Sequence, residues 1–134
     1  MTQPFPNRVQ WSSDYCVGNE VLDRQHQAIL AQCNRLADCI ADPDLQCDQN
    51  FDGAFAALMV LVREHFSAEK ALLSLFGYPD LDEQQGEYDE FDYLANEIIT
   101  TENFERVELQ RFLVLWWVGH LTDSAKKYRP FVQG

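Results

Sequence analysis

The sequence predicts an all-α protein: an up-and-down antiparallel four-helix bundle with an irregular N-terminal arm. Three observations lead there. Apolar residues recur at steps of three and four along four successive stretches, the spacing that lines one helical face. No stretch alternates apolar and polar residues as a half-buried strand does. The connections are short, so consecutive helices fold back beside one another.

The first helix is predicted over 19–41, where Leu22, His26, Ile29, Cys33, Leu36 and Ile40 share one row. Pro43 and its Asp/Gln-rich surroundings end the pattern, and Asp48 offers an N-cap for the next helix. That second helix, 48–76, aligns Phe51, Phe55, Leu58, Val62, His65, Glu69 and Leu72, with Gly77 placed to cap its C-terminus. After the Tyr78-Pro79 break, Leu81, Gln84, Tyr88, Phe91, Ala95 and Ile98 trace a third helix over 80–100. The fourth, 102–124, starts at the Thr100-Thr101-Glu102 junction and sets Leu109, Phe112, Leu113, Trp116 and His120 on one face. Lys126, Lys127 and Arg129 lie near its C-terminal end, where the helix dipole favours cations. The segment before Asn19, with Trp11 and Tyr15, reads as an arm laid over the bundle.

The 134 residues suit one domain, 1–134, and 24% charged with 46% hydrophobic residues is the balance of a soluble globular chain. The longest apolar run, Phe112 to Val118, is far short of the roughly 20 residues that span a bilayer, so no membrane role is expected. The opening Met-Thr-Gln-Pro-Phe-Pro has no secretory character, which favours a cytoplasmic protein. Twenty-two acids against ten bases give a net charge of −12, which repels phosphate backbones and argues against a nucleic-acid partner. Cys16, Cys33, Cys39 and Cys47 match no zinc or redox spacing and read as buried small hydrophobes.

Function is written in the three histidines. His26, His65 and His120 each fall on the inward face of a different predicted helix, and Glu69 follows His65 by one turn. A buried imidazole or carboxylate without a partner costs about 1–3 kcal/mol. One such histidine alone is most simply a hydrogen-bonded core residue, and His-x-x-x-Glu recurs by chance. Three imidazoles and a carboxylate on converging faces point instead to a shared site, holding either a metal ion or a closed hydrogen-bonded network.

The same residues resemble the hemerythrin family, in particular the single-domain bacteriohemerythrins. The resemblance is carried by Trp11, Tyr15-Cys16-Val17-Gly18, Asp23-Arg24-Gln25-His26, His65-Phe66-Ser67-Ala68-Glu69 and Tyr78-Pro79. It continues in Trp116-Trp117-Val118-Gly119-His120-Leu121 and Lys126-Lys127-Tyr128. It implies a four-helix bundle with two non-heme irons and reversible binding of dioxygen, used for carriage, delivery, sensing or iron handling. By the resemblance, His26 and His65 are terminal ligands of one iron, Glu69 bridges both, and His120 serves the other.

Three ligands of the family pattern are absent. Gln84 and Tyr88 stand where the resemblance implies two histidines, and Ala125 stands where it implies a second bridging aspartate; the nearby Asp123 points in a different helical direction. The remaining His26, His65 and Glu69 form a two-histidine, one-carboxylate set of the kind that holds ferrous iron, with His120 or Tyr88 as supplementary contacts. Family oxygen carriage draws one electron from each of two metals, which a single ion cannot copy.

The leading expectation is therefore one bound iron in a divergent hemerythrin-like protein that binds or senses oxygen or redox state, with zinc compatible with the same donors. The alternative is a metal-free interaction or scaffold module whose pocket is closed by bonds from Gln84 and Tyr88. Catalysis, by oxygen activation or as a peroxidase, ranks below both because no substrate-binding constellation is visible, so the chain is not read as an enzyme. Dioxygen or another small ligand is the partner implied; the sequence identifies no protein partner.

Overall fold

In the computed structural model, residues 8–41 and 47–133 are described, with only the helical backbone for 47–50. Four long helices follow one another: α1 (Glu20–Ala41), α2 (Cys47–Leu75), α3 (Leu81–Thr100) and α4 (Arg106–Gly119). A π-helical turn, His120–Ser124, then leads directly into a short α5 (Ala125–Val132). No described residue lies in a strand. Helix α1 packs on α2 and α4, and α3 packs on the same two, which closes the ring of the antiparallel bundle.

The helix boundaries follow local chemistry. Asn19 caps α1, its side-chain oxygen accepting from Leu22 N at 3.2 Å. Asp23 holds the entering chain by accepting from the backbone N–H groups of Val17 (2.7 Å) and Gly18 (3.2 Å). At the end of α2, Gly77 takes φ +75°, and the bonds Tyr78 N to Leu73 O (2.9 Å) and Gly77 N to Ser74 O (3.2 Å) complete a Schellman cap. Pro43 lies outside the described residues. Asp48 falls inside α2, which starts at Cys47, and so does not occupy the cap position expected of it.

The fourth helix departs most from expectation. It starts at Arg106 rather than near 102, because Thr101 closes α3 and Asn103 adopts φ +61°, a left-handed conformation no helix interior accommodates. At the other end the helical path does not stop near 124 but runs to Val132, so Lys126 and Lys127 lie within it. Tyr128 and Val132 are fully buried on this extension, and their burial against Val17, Leu22 and Leu73 explains why the chain stays helical. Within α4 the deeply buried tryptophan is Trp117, whereas Trp116 and Phe112 are half-buried.

The arm runs beside α1. Val9 pairs with the Asn34 side chain in both directions, N to Oδ1 at 2.9 Å and Nδ2 to Val9 O at 2.6 Å. Trp11 and Tyr15 meet edge to face, and both pack on the main core. Cys33 and Cys39 are buried as expected, but Cys16 is only half-buried on this arm; these three cysteines are free.

Two apolar clusters fill the interior. The larger runs from Ile29, Leu58 and Phe66 to Leu113 and Trp117, the smaller from Leu22 and Leu73 to Tyr128. His26 lies between Leu22 and Ile29 on α1, and Glu69 between Phe66 and Leu73 on α2. A buried polar layer thus sits where the two clusters meet.

Candidate metal centre

Helical spacing delivers the site. His26 comes from the second turn of α1, His65 and Glu69 from adjacent turns of α2, and His120 from the start of the π turn. His26, His65 and Glu69 are 0% exposed and His120 is 3% exposed. One ligand atom from each of the four lies within 4.8 Å of every other. His65 Nε2 and His120 Nε2 are each 3.0 Å from Glu69 Oε2, His26 Nε2 is 3.9 Å from it, and the Nε2 atoms of His26 and His65 are 3.0 Å apart.

Glu69 is the hub. Its Oε2 meets the imidazoles and accepts from the Tyr128 hydroxyl. Its Oε1 accepts from Gln84 Nε2 at 2.8 Å and from Tyr88 OH at 2.5 Å. Gln84 is itself locked by Ser124, with Nε2 donating to Oγ at 3.1 Å and Oγ donating back to Oε1 at 3.2 Å.

These contacts set the charges. Burial alone would push the Glu69 carboxyl up, but the imidazoles of His120 and His65 outweigh it and hold the group well below the usual carboxylate range. Burial would likewise lower His120, yet Glu69, with Glu87 adding, raises it to about 9. His26 and His65 go the other way: desolvation lowers both, reinforced at His26 by its neighbouring imidazoles. Before any ion enters, Glu69 and His120 thus favour each other's charged forms, while burial disfavours charge on His26 and His65.

The donor set fits one metal ion. Bonds of about 2.1 Å place neighbouring ligand atoms on one ion roughly 3.0–3.4 Å apart; the His65–Glu69, His120–Glu69 and His26–His65 tips are 3.0 Å apart, and His26 lies 3.9 Å from Glu69. Gln25 Oε1 lies 2.8 Å from His65 Nδ1 and accepts a hydrogen bond from it, which leaves the Nε2 lone pair turned inward. With that tautomer, His65 Nε2 and Glu69 Oε2 are two lone-pair-bearing atoms 3.0 Å apart, an approach that a cation relieves. Iron and zinc both accept three nitrogens and an oxygen.

His120, expected as a supplementary contact, reaches the same Glu69 oxygen as His65 does. The Tyr88 hydroxyl, by contrast, binds the other carboxylate oxygen. Burial, then the charge of Glu69, pushes that hydroxyl above the ordinary phenol range, in keeping with the hydrogen bond it donates to Glu69. Ala125 is fully buried among Leu22, Leu73 and Tyr128, and Asp123 is exposed.

Three contributors escaped the sequence reading. Tyr128 and Gln25 lay within its motifs but were given no role in the site, and Ser124 was not singled out at all. Tyr128 follows His120 by eight residues, a spacing that signals a shared helical face, but the π turn between them shifts that face.

The family profile described as "Hemerythrin HHE cation binding domain" matches residues 17–132. The chain belongs to the hemerythrin family. It is 26% identical over 129 residues to a "Hemerythrin-like protein" of Naegleria gruberi, covering 96% of this chain and 98% of the relative. The counterpart in Naegleria fowleri matches equally, and the "Myohemerythrin" of Theromyzon tessulatum is 22% identical over the same length and coverage. No solved structure matches the chain. Among the described residues, no helix is long and apolar enough to cross a membrane.

Proposed function

We infer that this hemerythrin-family chain holds a single iron through His26, His65, Glu69 and His120, and that it binds or senses oxygen or redox state. The observation that carries the reading is the convergence of three imidazole Nε2 atoms on one buried carboxylate oxygen. Iron there supplies a redox-active Lewis acid. The protein's own residues do the rest: Gln25 orients His65, while Tyr128, Tyr88 and Gln84 aim both oxygens of Glu69. Trp117 and Phe66 stack beside the cluster and exclude water from it. Gln84 and Tyr88 fill the side where the family pattern implies further histidines, which supports one ion instead of two.

A second reading, a metal-free interaction module, draws on a specific observation: Glu69 already accepts from three neutral donors. Against it, with Gln25 engaging His65 Nδ1, the His65 Nε2 lone pair faces Glu69 Oε2 at 3.0 Å, a contact that a closed hydrogen-bonded network would not make. Elemental analysis after anaerobic loading with ferrous iron separates the two. The single-ion reading expects about one iron per chain and an absorption change on admitting air. Two irons per chain would sink the single-ion reading, and none would favour the closed pocket.

A further inference from the structure

The geometry points to the acidic pocket outside His120 as the port by which a divalent cation reaches the buried cluster, an inference that rests on the metal-binding reading above. The pocket lies between α3 and the π turn and is walled by Glu87, Glu90, Asp123 and Lys127 around Trp116 and Gly119. Three carboxylates face one ammonium, and that ammonium is engaged by Glu83 at 3.0 Å. A recess lined with one sign of charge concentrates the opposite ion and raises its rate of arrival.

The second observation is His120 itself. The ring is 3% exposed and lines this pocket, and its Nδ1 has no hydrogen-bond partner among the described residues. Glu87 Oε1 lies 3.9 Å from that nitrogen, too far for a hydrogen bond. The opposite edge of the same ring puts Nε2 3.0 Å from Glu69 Oε2. The same imidazole therefore borders the outer carboxylates on one edge and the cluster on the other.

Gly119 lines the same pocket, and a Cβ added there would meet nothing within 4 Å, so the recess is open at that position. The π turn begins at His120 and carries the wider backbone hydrogen bond from Ala125 N to His120 O, an irregularity that frequently marks functional sites. Two other surface recesses, one along the arm at Trp11 and Asn34 and one at Ile98 and Phe112, are lined by no residue of the cluster.

The test follows cobalt(II), alone, entering the full chain by stopped-flow absorption. Glu90→Gln combined with Asp123→Asn should slow uptake about five-fold or more at low ionic strength. The final cobalt per chain should match the unaltered protein, and the difference should shrink in about 1 M salt, where screening acts within about 3 Å. Asp89→Asn with Asp92→Asn removes the same charge from exposed positions outside the pocket and should leave the rate unchanged. An unslowed port variant, equal slowing by the control pair, or a reduced final cobalt content in the port variant would each overturn the port. No cobalt bound by the unaltered protein would overturn the metal-binding reading and the port with it.

Discussion

Gln25 and His65 are joined across α1 and α2 by a 2.8 Å contact between Oε1 and Nδ1, and this contact decides which edge of the ring faces the cluster. A ring free to choose its tautomer would present a lone pair inward only part of the time. Gln25→Leu should therefore weaken cobalt affinity about 10–100-fold while the helical circular dichroism is retained. Unchanged affinity in a calorimetric titration would show that the contact does not orient the ring.

Tyr88 and His65 touch the same carboxylate from opposite oxygens, and they should fail differently. His65→Ala should abolish iron binding. Tyr88→Phe should keep about one iron per chain but lose about 1–3 kcal/mol of stability, because a buried carboxylate oxygen loses a donor. Loss of iron in Tyr88→Phe, measured by elemental analysis, would mean that the phenol is a ligand after all.

The metal-free protein should be most stable near pH 6.5. Below that value the unfolded chain protonates His26 and His65, whose folded pKa values are lowered, so unfolding takes up protons and stability falls with acidification. Above it, His120 stays protonated up to about 9 in the folded protein but not in the unfolded chain, so its contribution is lost as pH rises through that range. Glu69, held low, adds a further loss that begins as acidification passes the ordinary carboxylate range, where the unfolded chain protonates, and is complete at its lowered folded pKa. Urea midpoints across pH 5–10 check this, and a midpoint rising steadily to pH 10 would contradict it.

Gly77 sits at φ +75° with open space around it, so the cost of a side chain there is conformational and not steric. Gly77→Ala should destabilise by about 1–2 kcal/mol, the cost of a left-handed Cβ, and thermal unfolding would show it.

Burial pushes the Cys33 thiol up to about 12, which leaves almost no thiolate at neutral pH. In the native protein Cys33 should resist a thiol-specific reagent at pH 8 and react only after unfolding. Mass mapping of modified peptides reads this directly, and rapid native labelling at Cys33 would show that the core opens there.

The sequence alone specified the four long helices and which stretches form them, because a period of 3.6 residues is local information. The rows Leu22 to Leu36, Leu58 to Glu69 and Gln84 to Ala95 carry it almost without interruption. Periodicity also nominated His26, His65, Glu69 and His120, since a polar residue on an apolar stripe needs a partner. It missed Asn103, whose left-handed backbone delays α4, and the continuation to Val132, which depends on burial against residues more than 50 positions away.

Only the tertiary structure decided how the donors meet. That His120 shares an oxygen with His65, that Tyr88 and Gln84 take the other oxygen, and that Tyr128 closes the hub all depend on distances between helices. Residue spacing along one helix fixes a direction but not a depth. Depth is set by how the packed side chains of two cores space the backbones apart, and a hydrogen bond or a ligand contact is won or lost within about 0.5 Å of that spacing.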